Sequence, residues 1–515
     1  MLSIIKSLYL QGLDGLEVEV QVDVSNGIPK YTIVGLPDCS LKESRERVIT
    51  AIKNTGFNLV SKKIIINLSP ANVRKGGAIF DLSIAIGILF STNLINRNLL
   101  KEIDDTIFIG ELSLDGRLKH ISGILPICIE AKRIGKRRVI VPAANLRETT
   151  FLDGIEVLGA NSLKEVILYL YKELRLPNQQ EIEKCDISID SYDIDFADIS
   201  GQELAKRAVE VAVSGGHNII LIGEPGSGKT MLAQRIPTIM PHANIQDIME
   251  ITRIYSLAGE LTDENPLIIN RPFRNPNHGA TVANMIGGWR NSKPGEFSLA
   301  NKGVLFLDEF PEFKREVIET LREPMESGIV SINRYNTNVT FPADFMLVAA
   351  MNPCQCGFFG SEKKECKCSE TQIKNYMKKI SGPVMDRIDL QVEMNSIDCQ
   401  KLYDSKSESS EIIRTRVQAA RDIQSKRYID YPIKLNSNMN IDMIRKFCIV
   451  DRESQKLLTM AYKNLNLTIR GYYKILKIAR TIADLEQKED IQTSHIAEAI
   501  QYRSLDRKYD FNKKE

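Results

Sequence analysis

The stretch GEPGSGKT, residues Gly223–Thr230, decides the fold of the chain around it. It matches the phosphate-binding pattern G-x-x-x-x-G-K-[ST] at every position. The apolar run Asn218–Ile222 precedes it and Met231–Arg235 starts well as a helix, so the pattern predicts a buried parallel strand, a loop and a helix. In that setting glycines let backbone amides approach phosphates closely, and the helix dipole favours their negative charge. The sequence therefore predicts a nucleoside triphosphate site.

Each part of this loop has an expected role. We expect its backbone to surround the phosphates, Lys229 to reach the β- and γ-phosphates, and the Thr230 hydroxyl to bind Mg²⁺. The predicted nucleotide-binding residues are Gly223, Glu224, Pro225, Gly226, Ser227, Gly228, Lys229 and Thr230.

Two later apolar runs end in polar residues that suit the same site. Gly303–Phe310 (GVLFLDEF) contains Asp308 and Glu309 at its end, and Phe345–Ala350 (FMLVAA) is followed closely by Asn352. We expect Asp308 to hold Mg²⁺ through water and Glu309 to activate the attacking water as a general base. Asn352 lies where its amide could sense the γ-phosphate. The alternative for the acidic pair is charge placement at a helix N-terminus, and the apolar residues before it favour the catalytic interpretation.

Two arginines are candidates to complete the site. Arg387, in SGPVMDRIDL, could reach the γ-phosphate of a neighbouring subunit as an arginine finger. A local ion pair with Asp386 or Asp389 is the alternative for this residue. Arg470 starts a helix rich in apolar and basic positions and could close a lid onto the nucleotide.

Composition limits the class of protein. A hydrophobic content of 43% and a charged content of 26% over 515 residues are typical of a soluble globular protein. The net charge of +2 argues against a polyanion binder whose whole surface is basic. No apolar run is long enough to span a membrane, the N-terminus lacks a cleavage signal, and most cysteines are scattered. We therefore expect a cytoplasmic protein without a membrane partner.

Changes in composition along the chain predict three domains. Residues 1–170 are expected to form an α/β domain, and 171–193 an acidic linker. Residues 194–400 are expected to form an α/β nucleotide domain with a parallel sheet and helices on both faces. Residues 401–515 show helical patterns without strands and are expected to form a helical lid.

The order of these segments is that of the AAA+ ATPases, whose site lies between subunits of a ring. Within that class, residues 194–505 resemble the magnesium-chelatase-like branch and its ComM/YifB family. The resemblance implies ATP as the nucleotide, a homo-oligomer that is a hexamer, and single-stranded, branched or heteroduplex DNA as the partner. The implied activity is branch migration during natural transformation. The matching segments are Arg271–Asn277 (RPFRNPN), Gly295–Gly303 (GEFSLANKG), Leu321–Gly328 (LREPMESG) and Asn352–Gly357 (NPCQCG).

The same resemblance implies which elements meet DNA. A helix-2 insert at 271–298 and a hairpin at 329–343 would project toward the ring pore. The implied DNA contacts are Trp289, Arg290, Lys293 and Arg334. The family has three consecutive glycines where this chain has Gly287-Gly288-Trp289. Trp289 could stack on a base or pack against protein. A second departure is Asn277-His278 in place of a paired histidine.

The N-terminal region resembles the proteolytic domain of Lon, an α/β fold of the S5 domain 2-like type, through Ser69–Leu82 (SPANVRKGGAIFDL). That resemblance places the serine nucleophile near Ala78 and its lysine partner near Leu125, so peptidase chemistry is not expected. Two rival functions remain open. One is a magnesium-chelatase subunit, against which the Lon-like domain argues, and the other is a Lon-like protein remodeller.

Four cysteines form the one cluster in the chain. Cys354, Cys356, Cys366 and Cys368 are arranged as two C-x-C pairs. Four thiolates on a short loop could hold a tetrahedral structural Zn²⁺, although spacings of two to four residues within a pair are more usual. Disulfides, or reduced thiols without a metal, are the alternatives.

Overall fold

The computed structural model describes residues 2–59, 62–181, 192–288, 293–333, 338–361, 364–395, 407–465, 467–503 and 505. An N-terminal α/β region is followed by a second α/β region that carries the phosphate loop, and then by helices. In the described ranges, none of the helices combines the length and the apolar character that crossing a membrane requires.

A mixed four-stranded sheet begins the N-terminal region, in the order β1-β2-β4-β3. Valines at alternate positions of β2 are buried, as the alternation of the sequence predicts. The sequence does not predict the preceding strand β1. Its residues, LSIIKSLYLQ, lack the strict alternation of apolar and polar side chains that β2 shows. The elements are β1 (Leu2–Gln11), β2 (Asp14–Ser25), β3 (Lys30–Val34), α1 (Cys39–Asn54), β4 (Lys63–Ser69) and α2 (Asp81–Ser91).

A parallel sheet in the order β5-β8-β9 and a short hairpin complete this region. The elements are β5 (Thr106–Phe108), β6 (Glu111–Leu112), β7 (Leu118–Lys119), α3 (Ile124–Arg133), β8 (Arg138–Pro142), β9 (Glu156–Ala160) and α4 (Leu163–Leu170).

The chain remains part of the N-terminal region beyond residue 170. Leu176 is 1% exposed and packs into its core. The buried Gln179 side chain accepts from Val157 N at 2.9 Å and donates to Ile155 O at 2.7 Å. The prediction of a linker from residue 171 is therefore wrong for 171–181, because two residues in this polar stretch are anchored in the fold. Residues 182–191 lie outside the described part of the chain.

A five-stranded parallel sheet carries the phosphate loop, in the order β11-β12-β15-β10-β16. An antiparallel hairpin of β13 and β14 precedes β15 in sequence. The strands are β10 (Ile219–Gly223), β11 (Phe273–Arg274), β12 (Val304–Leu307), β13 (Ile329–Asn333), β14 (Asn338–Pro342), β15 (Met346–Met351) and β16 (Leu390–Met394). The helices are α5 (Glu203–Gly215), α6 (Lys229–Ile239), α7 (Ile245–Ala258), α8 (Val282–Ile286), α9 (Glu296–Leu299), α10 (Arg315–Thr320), α11 (Arg322–Ser327), α12 (Glu370–Met377) and α13 (Gly382–Met385).

The central strands explain why the sequence shows continuous apolar runs there. In β10, Ile219 and Leu221 belong to one hydrophobic cluster, whereas Ile220 and Ile222 belong to another on the opposite face. Both faces of the sheet are covered, so every position of the strand is apolar. This is the α/β architecture that the sequence predicted.

The C-terminal helices pack against one face of that sheet. They share a hydrophobic cluster with α5 and α6, and Gln391 N in β16 donates to Tyr502 O at 2.9 Å. These helices are α14 (Ser410–Arg427), α15 (Ile441–Phe447), α16 (Arg452–Asn464), α17 (Ile469–Leu485) and α18 (Thr493–Gln501).

The N-terminal region contacts the nucleotide domain through α3 and α7. Gly123 N donates to Ser256 O at 2.9 Å, and the Ser256 hydroxyl donates to the buried carboxylate of Glu148. Leu13, in the turn between β1 and β2, packs with Val339 and Phe341 of the β13–β14 hairpin. The N-terminal region therefore touches two elements of the nucleotide domain.

Candidate nucleotide-binding site

The phosphate loop follows the predicted path from strand to helix. Gly226 and Gly228 have φ values of +79° and +90°, and a Cβ at either position would have no atom within 4 Å. The backbone is in the left-handed region at these two glycines, and the space beside each of them is open. A phosphate can therefore approach the backbone amides closely. Glycine is required at position 223 for a different reason. A Cβ there would lie 2.3 Å from Met394 O of β16.

Ser227 offers a further donor inside the loop. Its Oγ is buried and has no hydrogen-bond partner among the described residues. Its carbonyl accepts from Gln202 Nε2 at 3.2 Å, and the same amide donates to Asn395 O at 2.6 Å. Gln202 itself has a φ of +57°, an uncommon conformation that often marks a functional region. The sequence motifs did not predict this support of the loop, because Gln202 and Asn395 are distant from the loop in sequence.

Lys229 is held at the end of β10 by three oxygen atoms. Its Nζ donates to Gly223 O at 2.7 Å, to Glu224 O at 2.9 Å and to Asn352 Oδ1 at 3.3 Å. Burial lowers the pKa of the Lys229 ammonium, and the charges of Asp308 and Glu224 oppose that shift. The structure thus brings the predicted lysine and the predicted sensor amide together.

The predicted magnesium ligands also lie side by side. The Thr230 hydroxyl donates to Asp308 Oδ2 at 2.8 Å, so a hydroxyl and a carboxylate converge at the first turn of α6. Oxygen donors of this kind suit Mg²⁺. A cation and triphosphate fit these residues, given the open glycine positions and the Ser227 hydroxyl, which finds no partner in the described part of the chain.

Glu309 follows Asp308 in a left-handed conformation, with a φ of +51°. Its side chain is 59% exposed, and Oε2 lies 3.5 Å from Nδ1 of His278. His278 belongs to the predicted helix-2 insert and was noted only as a departure from a family pattern. The structure therefore adds a contact between that insert and the predicted general base.

Arg387 makes local contacts that differ from the predicted alternative. Its guanidinium pairs with Glu326 and donates to Pro383 O at 2.6 Å. The alternative prediction of an ion pair between Arg387 and Asp389 is wrong. The Asp389 carboxylate instead lies 2.8 Å from Lys474 Nζ and 3.1 Å from His217 Nδ1. No hydrogen bond joins Arg387 to the phosphate loop of its own chain among the described residues.

Arg470 lies in the first turn of α17 and is exposed. It lines a cavity of about 490 Å³ together with residues of α15 and α17. No hydrogen bond or ion pair brings Arg470 to the phosphate loop in the described part of the chain, so its predicted lid role remains a prediction.

Comparison with known proteins places this site in a family. Residues 195–402 match the family model of magnesium chelatase, subunit ChlI, and residues 407–503 match that of its C-terminal part. The chain is 38% identical over 509 residues to the competence protein ComM of Haemophilus influenzae, covering 98% of both chains. It is also 38% identical over 508 residues to YifB of Escherichia coli, again covering 98% of both. The chain belongs to the ComM/YifB family.

This ComM/YifB protein is therefore a magnesium-chelatase-like AAA+ ATPase, as its sequence motifs predicted. The family implies ATP and Mg²⁺ as ligands. Its likeness to the magnesium-chelatase subunit ChlI of Olisthodiscus luteus is weaker, at 22% identity over 281 residues that cover 50% of this chain and 81% of that one. Residues 20–145 match a model described as subunit ChlI of Mg-chelatase. The N-terminal region therefore does not by itself separate this chain from chelatase subunits, contrary to the expectation above.

The four clustered cysteines of the ComM/YifB chain converge in space. Their Sγ atoms all lie within 4.8 Å of one another, and Cys354 is buried. Cys354 Sγ is 3.3 Å from Cys356 Sγ and 3.7 Å from Cys366 Sγ, and the last two are 3.6 Å apart. Four sulfurs around Zn²⁺ at about 2.3 Å would be separated by about 3.8 Å, so this donor set fits a tetrahedral zinc ion.

The elements implied to meet DNA are only partly described. Trp289, Arg290 and Arg334 lie outside the described residues. Lys293 is exposed, and its Nζ donates to Ala258 O at 2.9 Å. The described parts of the insert and of the hairpin are adjacent. A Cβ at Gly287 of the insert would lie 3.0 Å from Ile332 Cδ1 of β13.

Proposed function

We propose that this chain is the subunit of an ATP-driven ring motor that moves DNA branches during natural transformation. The observation that carries the proposal is its likeness to a protein named for competence, over 98% of both chains. Competence is the state in which cells take up DNA, so the relative's name connects this arrangement of domains with incoming DNA. The likeness to a chelatase subunit covers only half of this chain.

We assign the chemistry of hydrolysis to two pairs that the structure brings together, Lys229 with Asn352 and Thr230 with Asp308, and to Glu309, which follows Asp308 in the chain. Lys229 would bind the β- and γ-phosphates, and Thr230 and Asp308, whose oxygens lie 2.8 Å apart, would hold Mg²⁺. Bound Mg²⁺ neutralises charge that develops on the phosphates. Glu309 would accept a proton from the attacking water, and Asn352, whose Oδ1 accepts from Lys229 Nζ at 3.3 Å, would sense the γ-phosphate.

Completion of the site requires a second subunit in this proposal. Arg387 is 15% exposed and pairs with Glu326, whose side chain is 58% exposed, so another subunit's phosphate can compete for the guanidinium. This makes a homo-oligomer, proposed as a hexamer, a condition of activity. Arg470 would approach the nucleotide from the helical lid. It lies in the first turn of α17, which packs against α5 of the nucleotide domain.

We propose that Trp289, Arg290, Lys293 and Arg334 contact DNA. The stems that lead to them are neighbours, through Gly287 and Ile332, so both elements approach the same region. Cations at such a place would bind phosphates, and Trp289 would stack on a base or pack against protein. We propose as well that the four cysteines hold a structural Zn²⁺.

Stimulation of ATP hydrolysis by different substrates tests the motor proposal. We expect forked DNA to raise the ATPase rate, and we expect unfolded protein, or porphyrin with Mg²⁺, to leave it unchanged. Arg334→Ala should weaken stimulation by DNA, whereas Arg452→Ala, an exposed arginine of α16, should not. Stimulation by unfolded protein alone would favour the remodeller, and stimulation by porphyrin alone would favour the chelatase subunit.

A Lon-like peptidase is not supported by the residues at the corresponding places. Ala78 begins a turn of 3-10 helix and Leu125 is buried in α3, so neither offers a nucleophile or a base. The N-terminal region is proposed as a scaffold that rests on α7 and on the β13–β14 hairpin.

A further inference from the structure

The loop that carries the cysteines joins the nucleotide site at its first residues. It leaves β15 at Asn352, whose Oδ1 accepts from Lys229 Nζ at 3.3 Å, and Cys354 follows after one residue. Cys354 is buried, so the chain is anchored within two residues of the sensor amide. Since one residue separates them, the position of Cys354 constrains that of Asn352.

The far end of the loop returns to the same residue. Tyr376, in α12, is 6% exposed, and its hydroxyl is hydrogen-bonded to the backbone of Asn352. Burial raises the pKa of the Tyr376 hydroxyl, so it remains a neutral partner. The sensor residue is thus fixed from both ends of the cysteine loop.

The middle of the loop touches the phosphate loop itself. Gly357 has a φ of +86°, and a Cβ there would lie 2.7 Å from Cδ and 2.8 Å from Cγ of Pro225. Only the absence of a side chain at Gly357 lets its backbone come so close to the ring of Pro225. Pro225 is otherwise exposed, so the cysteine loop forms a wall on one side of the phosphate loop.

We infer that the four-cysteine loop is a metal-dependent brace of the nucleotide site: the metal holds Gly357 against Pro225 and Asn352 beside Lys229. The inference rests on the zinc site proposed above and gives that site a role in ATP binding. Zn²⁺ binds as the thiols lose their protons to solvent, and no redox step is involved. Removal of the metal would free the loop, and the wall beside Pro225 would no longer be fixed.

Metal content and nucleotide affinity, measured on the full chain without DNA, test the brace. We expect about one Zn²⁺ per chain after purification under reducing conditions, and a tetrahedral tetrathiolate spectrum when Co²⁺ replaces it. Cys356→Ser with Cys366→Ser should lose the metal and raise the Kd for ATP about tenfold, the usual scale for loss of a supporting contact. Cys448→Ala, which removes a thiol outside the loop, should change neither quantity.

A second set of variants tests the contact and keeps the metal. Gly357→Ala should retain Zn²⁺ yet weaken ATP binding, because the methyl group displaces Pro225. Pro225→Ala added to Gly357→Ala should recover part of that loss, since it removes the Cγ and Cδ atoms that clash. Gly135→Ala, with a φ of +80° and open space around it, controls for backbone strain alone.

Two results would overturn the inference. The first is less than about a tenth of an equivalent of metal in folded protein supplied with Zn²⁺. The second is a metal-free cysteine variant that binds ATP with unchanged Kd. Neither measurement uses DNA, so failure of the brace and failure of the DNA motor are separate outcomes.

Discussion

Glu309 is the residue on which the rate of hydrolysis depends in our account. Replacing it with Gln removes the base and retains the shape, so Glu309→Gln should bind ATP with nearly unchanged affinity. Its single-turnover hydrolysis should fall about 10²- to 10⁴-fold, the usual contribution of a general base. Glu312→Gln, an exposed neighbour that pairs with Lys379 at 2.9 Å, is the matched control. A turnover near wild type in Glu309→Gln would show that the base is another residue.

Arg387 is predicted to act on the site of a neighbouring subunit. Homogeneous Arg387→Ala and Lys229→Ala proteins should each hydrolyse ATP at a small fraction of the wild-type rate. Mixing them in equal amounts should restore about a quarter of the sites, because one interface in four then combines an intact lysine with an intact arginine. The measurement is the ATPase rate after subunit exchange. Mixed proteins no more active than their separate components would argue that Arg387 serves its own chain.

Individual residues also show where sequence reasoning stopped. The phosphate loop and the acidic pair could be predicted because each lies at the end of a buried apolar run. His278, Gln202 and Gly357 could not, because their partners are distant in sequence and depend on tertiary packing. The two C-x-C pairs predicted a metal site only as one alternative, because a single residue between paired ligands is unusual, and their convergence in space depends on the fold.

At the scale of elements, the contact of α3 with α7 depends on a buried carboxyl group. Burial raises the pKa of Glu148 from 4.5 to about 7, although Ser256, Asn145 and the Leu125 N–H all donate to it. A carboxyl group whose pKa is raised on folding favours the folded state most below pH 4.5. This contribution, about 3 kcal/mol, is lost as the pH rises through about 7.

The pH dependence of unfolding tests that contact. Between pH 5 and about 8, the thermal stability of the wild type should fall more steeply than that of Glu148→Gln, which has no proton to lose. The change in slope is the readout, since the amide can also alter absolute stability. Glu165→Gln, at a half-buried position in the first turn of α4, controls for loss of a carboxylate. Parallel slopes for wild type and Glu148→Gln would show that Glu148 does not titrate in this range.

Helices and buried strands were predicted more fully than the boundaries between regions. The runs of β10, β12 and β15 are apolar at every position because both faces of the sheet are covered. The polar stretch after residue 170 looked like a linker, yet Leu176 and Gln179 anchor it. Local composition does not predict that a single leucine in a polar stretch is buried. Nor does it predict that the Gln179 amide bonds to the backbone of β9.

The whole molecule places the N-terminal region against the parts that are proposed to move DNA. Leu13 packs with Val339 and Phe341 of the hairpin, and Gly12 comes so close that a Cβ would lie 2.2 Å from Val339 Cγ1. Gly12→Ala should therefore displace the hairpin and reduce stimulation of the ATPase by DNA more than basal hydrolysis. Comparing the two rates checks this prediction, with Gly56→Ala, at a φ of +98° and in open space, as the control. Equal loss of both rates would indicate a general defect.

The central claim is that ATP hydrolysis by this chain moves DNA branches. Its most direct test is a branch-migration assay with a labelled, partly mobile three-strand junction, in which wild-type protein and Glu309→Gln are compared with ATP and Mg²⁺ present. We predict that the wild type resolves the junction in proportion to the ATP consumed, and that Glu309→Gln binds it without resolving it. A wild-type protein that hydrolyses ATP at full rate and leaves the junction in place would contradict the account.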